Sequence, residues 1–370
     1  MNNPRNSSRI YRLVFFVILL KLSLLPFFQN TDSDAVTRIY MSINWMEHPE
    51  WIRTSIWGPF HFYLTGFFLY LWNNPVYTPS IINILLSSLS LFPFYYFTKR
   101  EFSKNGAMIA SVLFAFSPIL FRNGFMGLSE TPYLFFLILC LNFLSKAIKE
   151  KSISHFIYAG LSITIAAGFR YEAWLLIPIF SFVVWIKDKF KHAFVFGMIA
   201  LLFPVVWMFQ NQIDKGNAFY SLQGNYDWTM ELMKNNEGLN WESYLRRLWF
   251  FPFSWMISLG PLAAILAVLG MIRTFNSDLK FKSLRVWCIP FILLLLFFEY
   301  NSFKGVLLLQ PRFTGTLVAL SLPFIAIYFD EWNLRKNKIA ISSVILMIGL
   351  SFVYNMKGVS PVPKIGRAHV

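Results

Sequence analysis

The sequence predicts an all-α polytopic membrane protein, and three observations carry that prediction. Of the 370 residues, 56% are hydrophobic and only 14% charged, against roughly 25% charged in a soluble domain. Apolar runs recur along the chain at or near the ~20 residues that a bilayer crossing needs. Aromatic residues reach 19%, and mean hydropathy is +0.52. Together these exclude a disordered chain, a disulfide scaffold and an ordinary cytosolic enzyme. Net charge is +15, which in a soluble protein would suggest nucleic acid. Here the basic residues sit in short clusters between apolar runs, the pattern of loops facing anionic lipid. Membrane lipid is therefore a predicted partner, and nucleic acid is not. Cys140 and Cys288 lie inside apolar runs and form no metal or redox motif, so they read as core packing.

The first run, Leu13–Phe28, follows Arg5, Arg9 and Arg12 and lacks a small-residue cleavage site, so it reads as an uncleaved first span. Further runs are Pro79–Thr98, Ala107–Phe121, Pro132–Ser145, His155–Gly168, Ala173–Ile186 and Ala193–Phe209. Ser254–Ile272, Val286–Glu299, Phe313–Phe329 and Ile339–Tyr354 follow. About eleven spans result. Gly58–Trp72 is ambiguous, and the Lys and Arg distribution decides it. If it does not cross, short inner loops hold 19 basic residues and outer segments 13; if it crosses, the counts become 14 and 18. The positive-inside rule favours the first arrangement. Gly58–Trp72 is then a re-entrant or interfacial helix in the first outer loop, at a depth where irregular backbone needs protein or a wet cavity beside it. One transmembrane domain over 1–355 is expected, with outer loops at 29–78 and 210–252 and a tail at 356–370. The last residues, 364–370, resemble a translated sequencing adapter and are expected to be non-native.

The candidate chemistry lies on the outer side. Asp32 and Asp34 follow the first span; such a pair can hold a divalent cation or supply a general base. Asp34 is also expected to cap a helix from Ala35 to about Met46. Arg38 lies four residues on, placed to pair with Asp34 or to meet an anionic ligand. His48 and His61 share the loop. In the next outer turn, Arg122 and Glu130 flank the mouths of two spans, and Glu130 suits the start of a helix. The tightest anomaly is Arg170-Tyr171-Glu172, which joins two apolar runs with almost no polar loop. Its charges must lie near membrane level, where ionisable groups are costly and are paired or functional. Arg312 stands at the outer start of a late span and is suited to bidentate contact with phosphate. Carboxylates beside several arginines at the lipid boundary suit a substrate with a phosphate at the interface, as in a lipid-linked phosphosugar.

These residues carry a resemblance. Asp32-Ser33-Asp34-Ala35, Gly58-Pro59-Phe60-His61-Phe62-Tyr63-Leu64, Lys99-Arg100-Glu101-Phe102, and Ser117-Pro118 with Arg122 and Glu130 come in order. Arg170-Tyr171-Glu172, Lys215-Gly216-Asn217-Ala218-Phe219-Tyr220 and Pro311-Arg312-Phe313 complete the set. The chain resembles integral-membrane glycosyltransferases of the GT-C class, nearest the branch of aminoarabinose transferases and protein O-mannosyltransferases. The resemblance covers roughly Arg12 to Tyr328. It implies a GT-C fold, a polyprenyl-phosphate sugar donor, and inverting transfer to a glycan, lipid or protein acceptor. It places the active site on the periplasmic side of a bacterial inner membrane. It assigns Asp34 as base with Asp32 as second candidate, and Glu130 as the second-loop acid. Arg170 and Arg312 would hold the lipid phosphate, with Arg38, His61, Arg122, Tyr171 and Glu172 as further substrate contacts. A divalent cation at Asp32 and Asp34 is a possible cofactor. A transporter or flippase of lipid-linked sugar is the alternative, and would place its site nearer the bilayer midplane.

Overall fold

In the computed structural model, the structure describes residues 4–28, 32–50, 55–236, 241–275 and 279–331, with 349 and 353 besides. The Ile339–Tyr354 run and the 356–370 tail lie outside the described residues, those two positions apart. All regular structure among the described residues is helical. The first part comprises α1 (Pro4–Leu24), α2 (Ser33–Glu47), α3 (Phe60–Leu71), α4 (Thr78–Leu89), α5 (Leu91–Glu101), α6 (Gly106–Phe116) and α7 (Pro118–Asn123). The middle holds α8 (Glu130–Glu150), α9 (Ile153–Phe169), α10 (Glu172–Lys187), α11 (Phe190–Ala200) and α12 (Leu202–Lys215). Then come α13 (Tyr220–Asn236), α14 (Trp241–Leu259), α15 (Pro261–Phe275), α16 (Leu279–Lys282), α17 (Cys288–Phe303) and α18 (Gly315–Glu331).

Among the described residues, five helical stretches are each long and apolar enough to cross a membrane: Ser8–Phe27, Thr78–Glu101, Glu130–Glu150, Arg285–Phe303 and Pro311–Phe329. Two more cross if bent pairs count as one span: α11 with α12 at 41°, and α14 with α15 at 107°. Several of the remaining expected spans are shorter helices. Pro118 starts a separate helix after Ser117 within the 107–121 run. The Ser254–Ile272 run, expected to be one span, is broken at Gly260-Pro261. There Gly260 has φ 93°, and Pro261 cannot continue the hydrogen-bond ladder of α14.

Contacts define two ends of the bundle. At one end Glu101 is buried and accepts hydrogen bonds from Ser145 Oγ (2.7 Å), Lys187 Nζ (3.1 Å) and Trp287 Nε1 (3.0 Å). It thereby joins four segments far apart in sequence. At the other end lie Asp32, Glu130, Arg170 and Arg312. The 21 residues of α8 run about 30 Å between the two. The N-terminus of α8 and the C-terminus of α9 both reach the site end, and α10 leaves it again.

The segment between α1 and α4 starts and finishes at the site end. Lys21, near the end of α1, bonds Ser87 of α4 at 2.8 Å, and Phe28 stacks on Phe125 at 4.0 Å. With its 12 residues, α3 is too short for a ~30 Å hydrocarbon core. It folds back on α2, with Gly66 close against Ser42 and Trp45. This is the segment that the charge distribution predicts not to cross.

Gly58, just before α3, fits because it lacks a side chain: a Cβ there would lie 2.3 Å from the Gly168 carbonyl oxygen at the end of α9. Gly58→Ala must push α3 away from that backbone. We expect a loss of about 1–3 kcal/mol, the usual cost of overpacking, read as a lowered unfolding midpoint in detergent.

Candidate active site

The site begins with a cap. The side chain of Asp32, not of Asp34, caps α2, accepting a hydrogen bond from Asp34 N at 3.0 Å. The helix thus starts at Ser33, earlier than expected, and the Asp34 carboxylate is left free of capping within the first turn. The difference matters chemically, because Asp34 is now held by a helix without being consumed by it.

Arg312 draws the acidic groups together. It sits in a short 3₁₀ turn ahead of α18, behind Pro311. Its Nη1 lies 3.1 and 3.0 Å from the two carboxylate oxygens of Asp32, and its Nη2 bonds Asp34 Oδ2. Its Nε donates to Gln310 Oε1 at 2.8 Å and lies 3.3 Å from Glu130 Oε1. The side chain is nine-tenths buried. Such charge-assisted pairs are strong, and removal of one partner leaves the others uncompensated.

Arg170 forms the second centre. Its Nη1 is 2.8 Å from Glu130 Oε1, and its Nη2 is 2.7 Å from Glu172 Oε1. The mutual pairing of Arg170 with Glu172 is the bland outcome that the sequence allowed; the added reach to Glu130 is what ties the turn to α8. Burial alone would lower the Arg170 pKa, but the Glu130 and Glu172 carboxylates outweigh it and hold the guanidinium above its ordinary range. Both arginines expected to hold a lipid phosphate are therefore already paired with carboxylates.

Arg38 is the contrast. It lies one turn from Asp34 but makes no ion pair among the described residues, because Asp34 is engaged by Arg312. Instead its guanidinium lies over the Trp57 ring, 4.5 Å from the centroid, and its buried Nη1 has no hydrogen-bond partner. Burial draws its pKa down to about 10, opposed mainly by the Glu130 charge, so it stays cationic near neutrality. Arg122, at the end of α7, likewise makes no ion pair among the described residues, and its Nε is unpartnered. Burial lowers its pKa as well. Four carboxylates and four arginines meet here, and among the described residues two of the arginines carry all of their ion pairs.

A cavity of about 290 Å³ opens beside these groups. Asp34, Arg38, Arg170, Glu172 and Arg312 line one side; Trp57 and the α13 residues Asn225, Tyr226 and Trp228 line others. The volume is near the lower bound for small-molecule sites. Tyr171 also lines it and donates its hydroxyl to the Ile56 carbonyl at 2.9 Å, fixing the segment that carries Trp57. His61 is buried on α3 with Nδ1 unpartnered, whereas His48 is exposed at the end of α2 and takes no part.

Several contributors were not singled out from sequence. Trp57 and Gln310 carry no charge and gave no signal. Lys21, buried in α1 with Ser87 as hydrogen-bond partner and 5.1 Å from the Phe121 centroid, did give one: a charge inside an apolar run. It lines a second cavity of about 20 Å³, room for one water, which Glu130, Arg170 and Arg312 also line.

The residues do not suit a divalent cation. Among the described residues, no group of three or more His, Cys, Asp or Glu side chains could hold a metal. The two carboxylates expected as ligands face the Arg312 guanidinium instead.

The fold has known counterparts. The profile of the dolichyl-phosphate-mannose-protein mannosyltransferase family matches residues 48–209. A structure of the archaeal oligosaccharyltransferase AglB from Archaeoglobus fulgidus, in complex with an inhibitory peptide and a dolichol-phosphate, superposes with TM-score 0.64 at 15% identity. That match covers 96% of this chain and 55% of that one. A crystal structure of the Archaeoglobus fulgidus oligosaccharyltransferase tethered with an acceptor peptide gives 0.62 at 14%, covering 95% and 54%. A third, in complex with Zn and sulfate, gives 0.60 at 15%, covering 94% and 52%. The chain spans about half the length of these structures. No curated protein sequence matches it significantly. The fold is that of the GT-C class of membrane glycosyltransferases.

Proposed function

We propose that the protein transfers a sugar from a polyprenyl-phosphate donor to an acceptor hydroxyl or amine, with inversion, on the outer face of a bacterial inner membrane. The observation that supports this most directly is the paired Asp34 and unpaired Arg38 on one cavity wall, at the end of a GT-C bundle. The family profile and the dolichol-phosphate complex of AglB favour a lipid-linked donor over a nucleotide sugar. The position of these site charges at an end of the bundle favours transfer over transport, whose site belongs nearer the midplane.

In this reading the donor's lipid tail lies among the spans and its phosphate enters the cavity toward Arg38. Arg312 supplies a second contact through N–H capacity that its carboxylates do not use. Asp34 takes the proton of the acceptor as the acceptor atom bonds to the anomeric carbon. The bond from that carbon to the phosphate oxygen breaks, and the polyprenyl phosphate leaves with its charge met by the guanidiniums. Stabilisation of that developing charge is usually the largest catalytic contribution. The α13 aromatics would stack on the sugar faces.

The test is transfer from radiolabelled polyprenyl-phosphate hexose by protein reconstituted in lipid vesicles. Release or transfer of label supports the proposal; label that only changes leaflet supports a flippase instead. Within that assay Arg38→Ala should raise the donor KM at least tenfold, in line with the ~1.5–3 kcal/mol of a charge-assisted hydrogen bond, and change kcat less. An unchanged donor KM would remove Arg38 from the phosphate site.

A further inference from the structure

We propose that Arg312 is a built-in counter-ion that gathers Asp32, Asp34 and Glu130 and blocks cation binding at the Asp32–Asp34 pair, so that transfer needs no metal. The inference rests on the transferase reading for its catalytic half, and on geometry alone for its cation half.

Three carboxylates from two elements converge on this one guanidinium. Nη1 spans both oxygens of Asp32 at 3.0–3.1 Å, Nη2 meets Asp34, and Nε lies 3.3 Å from Glu130. A hard divalent cation binds carboxylate oxygen at about 2.0–2.6 Å, so it would have to lie in the space that the guanidinium fills. Arg312 is also fixed there. Gln310 holds Nε at 2.8 Å, Pro311 stiffens the backbone just before it, and the Phe313 ring lies 5.7 Å from its Cζ. Asp32 is further constrained as the cap of α2, which limits its freedom to turn toward an ion. An arginine suits the task, since it is permanently charged and presents N–H groups in a planar fork that matches several carboxylates at once. It gathers the acidic groups, keeps Asp34 in place and contributes positive charge beside the leaving phosphate.

The experiment is a Mn²⁺ titration followed by electron paramagnetic resonance of the free ion, on detergent-purified full-length protein. Wild type should show no stoichiometric site. Arg312→Ala should open one, with Mn²⁺ affinity at least tenfold above wild type, and Asp32→Asn in that background should abolish the gain. Transfer by wild type should change less than twofold after exhaustive EDTA treatment. A stoichiometric wild-type site lost in Asp32→Asn would overturn the proposal, and this needs no arginine variant to fold. So would an Arg312→Ala protein that folds but gains no site. The titration requires no turnover, so it stands or falls separately from the assignment of donor and reaction.

Discussion

Asp34→Asn should lower sugar transfer by about 10²–10⁴-fold, the usual worth of a positioned general base, while the protein remains folded. The amide keeps the shape of the carboxylate and can still accept a hydrogen bond from Arg312 Nη2. Arg312 retains Asp32 and stays near Glu130. With its side chain about a quarter exposed, Asp34 contributes little to stability through its ion pair, on the order of 1 kcal/mol or less. The measurement is kcat for transfer beside the thermal midpoint in the same detergent. A variant with full turnover would remove Asp34 as the base. A variant that is inactive because it has unfolded would reveal itself in the midpoint.

Glu130→Ala should do the opposite in kind, striking stability and activity together. Among the described residues, Glu130 is the one carboxylate within ion-pair reach of both Arg170 and Arg312, at 2.8 and 3.3 Å, and its side chain is about nine-tenths buried. Its loss leaves two buried guanidiniums under-compensated, for which about 3–5 kcal/mol is typical. It also unties α8 from the 170–172 turn and from the start of α18. The thermal midpoint should fall by several degrees or more. Transfer should fall with it, and Glu130→Asp should recover part of both. An alanine variant with an unchanged midpoint would show that Glu172, Asp32 and Asp34 suffice to hold the two arginines.

Much of this site is legible in the sequence because charges at membrane level are conspicuous. Asp32, Asp34, Glu130, Arg170 and Arg312 stand out for that reason alone, and the structure brings them together. Their partnerships are not legible. Arg38 sits at the helical spacing that favours Asp34, and a local rule would pair them. A residue 278 positions away takes Asp34 instead, and Arg38 turns to Trp57. The cap is displaced for a similar reason, since either aspartate satisfies the sequence preference and only the chain's approach to α2 selects Asp32. The fold was legible in class, because hydropathy reports directly on the bilayer. The break at Gly260-Pro261 carried a signal that a hydropathy run obscures. Uncharged contributors such as Gln310 are defined only by what they touch.

The ion pair between Asp32 and Arg312 joins residues 280 positions apart, and this has a consequence for how the protein is made. Synthesis is vectorial, and Asp32, Asp34 and Glu130 reach the membrane long before the 3₁₀ turn that carries Arg312. During that interval the nascent bundle holds its acidic groups without their principal counter-charge, so the site assembles only when the last described helix docks. A chain arrested before residue 311 would therefore lack the guanidinium that joins Asp32 to Asp34, and the arrival of Arg312 is the step that completes the ion-pair cluster.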